Sequence, residues 1–320
     1  MKMRVNIITC IIIALSMLIC PLAANTNGKE VPENSSVTEE INEKGENTVS
    51  VMMSQTGKVS EIGMKEYVVG CVAAEMPSLY HTEALKAQAV ACYTYAKRIR
   101  ENGGIDGADI TDNSDNHQGY IDKESRRKKW GENFDEYESK ITAAVESVLG
   151  EYMVCDGETV LAVYHATSAG RTRSAEELWG EDFSYLISVE SPGDKLSPDY
   201  IGTKTFSEEE LRKVFEDSGV EVTGDAEKWI GKISRDGSGY VTSVSVCGNE
   251  ISASDFRNAA DLRSACFDID YGKGSFTVTC KGYGHGAGMS QYGADYMARQ
   301  GFDYKEILAH YYTGVNFEKE

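Results

Sequence analysis

A helical period that stops at a proline constrains this chain more than any other feature. Met64, Tyr67, Val68, Cys71 and Val72 recur at the spacing of one helix face, which predicts a helix from Met64 to Met76. Pro77 ends it, because a residue that precedes proline avoids helical geometry. A second helix is predicted from about Glu83 to Arg100, with Thr82 as its cap and Leu85, Ala89, Cys92, Ala96 and Ile99 facing the core. The two should form a tight helical pair.

Glu75 lies on the apolar stripe of the first helix, four residues after Cys71 and seven after Val68. A carboxylate is therefore aimed inward. It also sits in the last turn, where the negative end of the helix dipole and partial desolvation both disfavour ionisation. A raised pKa is what a general acid near neutral pH requires. The alternative on pattern alone is a buried carboxylate paired with a Lys or Arg.

Farther along, Gly, Asp and Asn between Gly103 and Tyr120 mark a long loop, and a helix returns near Phe134 to Leu149. Strands are predicted at Tyr152 to Val154 and Val160 to His165. Residues 194 to 265 read as an inserted subdomain with a helix (Glu208 to Glu216) and strands (Lys232 to Ser234, Val241 to Val246). A strand from Phe276 to Cys280 leads into the glycine-rich run Gly282 to Gly288. Two short helices follow, one signalled by Ser290 with Gly301 beyond, the other by Asp303 with Glu306 three residues on and Gly314 at its close. The fold class is α+β.

The 51 acidic side chains outnumber the 32 basic ones, and no long Lys/Arg block is present to neutralise phosphates, which argues against a nucleic-acid partner. The glycine-rich run lacks the Gly-Lys-Ser/Thr of a phosphate loop, so nucleotide binding is not expected. Its alternating glycines would instead bring backbone close to a ligand or a neighbouring strand. His285 within it has two readings, a sugar-groove contact or a hydrogen-bonded structural histidine.

Lys2 and Arg4 precede an apolar run from Val5 to Ala24, the pattern of an export signal or membrane anchor. About 20 residues at 1.5 Å each would span a bilayer, and Pro21-Leu22-Ala23-Ala24 offers a mediocre cleavage site. Residues 25–49, without an aromatic, form an acidic, disordered linker that would hold a catalytic body of residues 50–320 off the membrane. Six cysteines lie beyond the leader, an even number that leaves a disulfide open, although Cys71 and Cys92 fall on apolar helix positions and read as buried thiols.

Three stretches resemble one known family. Tyr67-Val-Val-Gly-Cys-Val-Ala-Ala-Glu75-Met-Pro77 with Glu83-Ala-Leu-Lys86-Ala-Gln88-Ala-Val-Ala91 is similar to the signature of the SpoIID sporulation lytic transglycosylases. So are Gly282-Tyr-Gly-His285-Gly-Ala-Gly-Met-Ser-Gln291-Tyr292 and Tyr304-Lys-Glu-Ile-Leu-Ala-His310-Tyr-Tyr-Thr-Gly314. Tyr164-His165-Ala-Thr167-Ser168-Ala-Gly170-Arg171-Thr172 and Trp179-Gly180 resemble its central block.

The resemblance covers roughly residues 50 to 318 and implies a fold in which the helical pair packs on mixed or antiparallel sheet to form a glycan-binding groove. It implies Glu75 as the catalytic acid, cutting peptidoglycan between MurNAc and GlcNAc to leave 1,6-anhydro ends during spore engulfment. Gln88, Tyr95, Gln118 and Ser168 are transition-state candidates by resemblance or helix face, and Tyr93, Tyr120, His285, Gln291 and Tyr292 complete the substrate-binding set. No cofactor is implied. The implied partners are glycan strands, with or without stem peptides, a cell-wall amidase and membrane-anchored proteins, met outside the membrane.

Two departures matter. Many members read Ala-Arg-Thr-Tyr-Ala where this chain has Cys92-Tyr93-Thr94-Tyr95-Ala96, so Tyr93 replaces a cation. Some clostridial members place a Cys and His pair, associated with zinc, before the Gln-x-Tyr; here His117 precedes Gln118-Gly119-Tyr120 without a Cys, so no metal site is drawn. The competing reading is a non-catalytic glycan-binding enhancer of an amidase, since binding does not need transition-state contacts.

Overall fold

The computed structural model describes residues 48–320 except 106, 114 and 115. The expectations for residues 1–24, and for the linker up to residue 47, lie outside the described residues. None of the described helices is long and apolar enough to cross a membrane.

The chain is α+β. It begins with a hairpin of β1 (Thr48–Met53) and β2 (Lys58–Gly63), then α1 (Met64–Glu75) and α2 (Thr82–Glu101). The cap of α2 is His81, whose ring nitrogen accepts from Glu83 N–H, and not Thr82. The predicted long loop holds β3 (Ile110–Thr111), parallel to β1. Next comes α3 (Lys123–Trp130), which sequence periodicity did not reveal because only Arg126 of its eight residues is buried. α4 (Phe134–Val148), β4 (Glu151–Cys155), β5 (Glu158–Thr159), β6 (Tyr164–His165) and α5 (Ala175–Trp179) follow.

A second set of elements then builds its own core. It comprises β7 (Ile201–Ser207), α6 (Glu208–Asp217), β8 (Ile230–Arg235), β9 (Val241–Val246), β10 (Asn249–Ser252), α7 (Ala253–Ala259), β11 (Phe267–Gly272) and β12 (Ser275–Lys281). They form two antiparallel three-stranded sheets, β10-β9-β8 and β11-β12-β7. Along β12 the residues Phe276, Val278 and Cys280 point inward at period two, and Phe276 stacks on the buried Trp229 at 5.6 Å. This core reaches from Phe206 to Cys280.

The chain returns to the first core with β13 (Met289–Ser290), parallel to β6, then α8 (Gln291–Arg299), α9 (Tyr304–Tyr311) and β14 (Asn316–Lys319), which pairs with β4. α2 is the axis of this core. Alanines at 84, 87, 89, 91 and 96 let α1, α4, α8, α9 and β4 all pack against it. α1 is consequently buried on nearly every side, with Met64, Tyr67 to Ala73 all inside. The Asp303 and Glu306 capping box forms as the spacing predicts.

Candidate active site

Glu75 is the last residue of α1, and Met76 beyond it is extended, as Pro77 requires. The loop before α3 crosses α1 at Gly70. Ile121 N–H donates to Gly70 O, and a Cβ at Gly70 would lie 2.3 Å from the Tyr120 ring. This close crossing puts Gly119 N–H on Glu75 Oε1 at 2.7 Å. Gln291, the first residue of α8, supplies a side-chain hydrogen bond to the same carboxylate.

Burial pushes the Glu75 carboxyl above the usual glutamate value of 4.5; the bonds from Gly119 and Gln291 and the charge of Lys129 act in the opposite direction without overcoming it. Glu75 makes no ion pair with a Lys or Arg among the described residues, so the paired-carboxylate alternative does not describe it.

Behind Glu75 lies a connected set of neutral polar groups. Gln118 Nε2 donates to Tyr67 Oη at 2.8 Å and to Cys92 O at 3.2 Å, while Tyr164 Oη donates to Gln118 Oε1 at 3.0 Å. Cys92 Sγ is 3.6 Å from Tyr164 Oη and accepts from Gln88 Nε2 at 3.3 Å. Gln291 Nε2 reaches Gln88 Oε1 at 3.4 Å, closing the path back to the carboxylate. Tyr120 stacks on Tyr67 at 5.7 Å. Tyr95, one turn beyond Cys92 on the same face of α2, meets the His117 ring edge-on at 6.1 Å. Tyr292 faces outward, its hydroxyl on Leu196 O and its ring edge-on to Tyr80.

Gln88, Gln118, Tyr120 and Gln291 are thus gathered around Glu75, with Tyr95 and Tyr292 adjoining. Tyr93 is not with them. Its hydroxyl donates to Glu320 Oε2 at 2.8 Å, beside the Lys97 ion pair with the same carboxylate. Helix geometry is the reason, since residue 93 points away from the face that carries Gln88, Cys92 and Tyr95.

Ser168 and His285 also have other work. The Ser168 hydroxyl and amide both donate to Asp194, which is fully buried and takes a further hydrogen bond from Ser290 Oγ at 2.7 Å. Ser290 caps α8, so Asp194 fixes the helix start that presents Gln291. His285 donates from Nε2 to Tyr164 O at 2.9 Å, and its Nδ1 accepts from Ala287 N–H at 3.1 Å. Both nitrogens are committed to backbone, and burial brings its pKa down to about 4. The glycine run packs on the residue before β6 here: a Cβ on Gly288, whose φ is +68°, would lie 1.9 Å from Val163 O.

Sequence reasoning missed four contributors to the site. Tyr67 reads as part of an apolar helix face and Tyr164 as a strand residue; Gly119 acts through a backbone amide that no residue type advertises; Lys129 sits on a helix without apolar period. Among the described residues no group of three or more His, Cys, Asp or Glu is placed to hold a metal. His117 Nδ1 accepts from Thr111 N–H at 3.2 Å, and Cys71, Cys92, Cys155, Cys247, Cys266 and Cys280 are free thiols.

The architecture is that of an α+β protein whose site centres on one half-buried carboxylate at a helix end, backed by amides and hydroxyls. The family model "SpoIID: Stage II sporulation protein" matches residues 52–155. The chain is 37% identical to stage II sporulation protein D of Bacillus amyloliquefaciens, over 86% of this chain and 80% of the relative. It is 34% identical to the protein of that name from Bacillus subtilis, over 98% of this chain and 94% of the relative. A more distant similarity, 26% identity over 77% of this chain and 39% of the relative, is to the amidase enhancer of Bacillus subtilis. The chain belongs to the stage II sporulation protein D family of sporulation proteins.

Proposed function

We propose that this protein is a lytic transglycosylase that cleaves peptidoglycan glycan strands, with Glu75 as its single acid and base. The observation that carries the reading is Glu75 itself: a carboxyl raised by burial, at a helix end, without an ion-pair partner among the described residues. Hydrolytic glycosidases of the ordinary kind need two carboxylates, one to manage water. A transglycosylase needs one. The Glu75 proton goes to the glycosidic oxygen as the bond to the muramoyl C1 breaks. The muramoyl 6-hydroxyl then bonds to C1 and returns its proton to the Glu75 carboxylate. Atoms balance without water, and the product is a 1,6-anhydro-muramic end.

Gly119 N–H and Gln291 are the donors that stabilise the carboxylate while its proton is away. Gln88, Gln118 and Tyr164 hold the ground beneath it. We place the body of the protein outside the cell membrane, held or exported by the apolar leader at residues 5–24, where glycan strands and a cell-wall amidase would be its partners in spore-envelope remodelling. Mass spectrometry of glycan strands incubated with the protein tests this, since anhydro-muramic ends must appear. Their absence, with stimulation of an amidase instead, would favour the enhancer reading that the distant relative suggests.

A further inference from the structure

We propose that Lys129 is the cation of the Glu75 site, a positioning residue that completes the last turn of α1 and stabilises the carboxylate once its proton has left. The inference rests on the role given above to Glu75 and adds a residue from an element that no site motif contains.

The geometry begins with Pro77. In a helix the carbonyl of Ala73 would accept from the N–H of residue 77, and a proline has none. Lys129 Nζ occupies that vacancy, donating to Ala73 O at 2.8 Å. Three residues earlier on the same face of α3, fully buried Arg126 donates to Glu66 in the first turn of α1 and to Glu138 of α4. The helix α3 is therefore fixed to both ends of α1, and the Lys129 contact falls two residues before Glu75. A cation at the C-terminal end of a helix also opposes the partial negative charge there, the same charge that would hinder ionisation of Glu75.

Near Glu75, burial holds the Cys71 thiol on α1 and the half-buried Tyr164 phenol on β6 well above their usual ionisation range, and Gln291 on α8 is an amide without charge. On α3, Lys128 pairs with Glu124 at the surface, and Arg126 is consumed by its two carboxylates. Lys129 is the one cation whose charge lowers the Glu75 ionisation point among the described residues. Tyr93, where the family resemblance implies a cation, turns to Glu320 instead.

The test follows the Glu75 carboxyl directly, by carbon NMR of the full chain labelled at glutamate, in the parent, Lys129→Gln and Lys129→Arg. Gln retains a donor for Ala73 O but no charge; Arg retains both. The Glu75 titration midpoint should rise by about half a pH unit in Lys129→Gln and stay within about 0.2 of the parent in Lys129→Arg. The alkaline limb of glycan cleavage should move up by the same amount, because the protonated acid starts the reaction. An unmoved midpoint in a Lys129→Gln protein that melts like the parent overturns the proposal. A shifted midpoint in a protein that makes no anhydro ends supports Lys129 and overturns the catalytic reading of Glu75, so the two fail separately.

Discussion

The amide of Gly119 donates to Glu75 Oε1 at 2.7 Å, tying the end of α1 to a loop that lies 44 residues farther along the chain. The carboxylate is oriented by backbone, and this determines what its replacement should do. In Glu75→Gln the carbonyl oxygen still accepts from Gly119 while the acidic proton is lost. Cleavage should fall below a few per cent of the parent while the thermal melt stays near it or rises. Strong residual turnover would remove Glu75 from the mechanism.

The same substitution predicts a pH signature in stability. Burial raises the folded ionisation point of Glu75 above its ordinary 4.5, so the folded state holds the proton more tightly than the unfolded chain. The stability linked to it is fully present below the unfolded value and is lost as pH rises from there through the folded value. Gln does not titrate. The melting-temperature difference of Glu75→Gln over the parent should therefore grow across that window and then level off, which calorimetry from pH 4 upward measures.

Gly70 is the crossing point on which the Gly119 bond depends. In Gly70→Ala the new methyl group meets the Tyr120 ring at 2.3 Å and Ile121 O at 2.7 Å, neither free to move without displacing the loop. A loss of about 1–3 kcal/mol in urea unfolding is expected, as for overpacked cores, with a larger fractional loss of cleavage because Gln118 and Gly119 move together. An unchanged unfolding midpoint would contradict the packing described.

Tyr93→Arg should not restore a catalytic cation. The position is 5% exposed and faces Glu320, already paired with Lys97, so an added guanidinium lands among cations and away from Glu75. A lower melting temperature without faster cleavage is the expected pair of results. A stable, faster variant would show that the face of α2 carrying Tyr93 does reach the substrate.

The purified protein should retain no stoichiometric zinc after dialysis. His117 spends Nδ1 on the Thr111 amide and sets its ring against Tyr95, and no neighbouring ligand set accompanies it among the described residues. Elemental analysis finding one zinc per chain would overturn this.

The sequence by itself determined what depends on neighbours three or four residues away. The inward aim of Glu75, its place in a last turn closed by Pro77, the Asp303 and Glu306 capping box and the limits of β9 all follow from local periodicity and local hydrogen bonds. The free, buried state of Cys71 and Cys92 follows the same stripes. Tertiary structure decided the rest. That Gly119 offers its amide, that Lys129 fills the place of the missing Pro77 N–H, that Asp194 anchors Ser168 and Ser290, and that Tyr93 turns to Glu320 all join segments far apart in the chain. The reason is physical: a backbone donor has the same chemistry in any residue but proline, and a lysine on a solvated helix carries no period. Only the packing of α3 and its preceding loop across α1 brings them to the carboxylate.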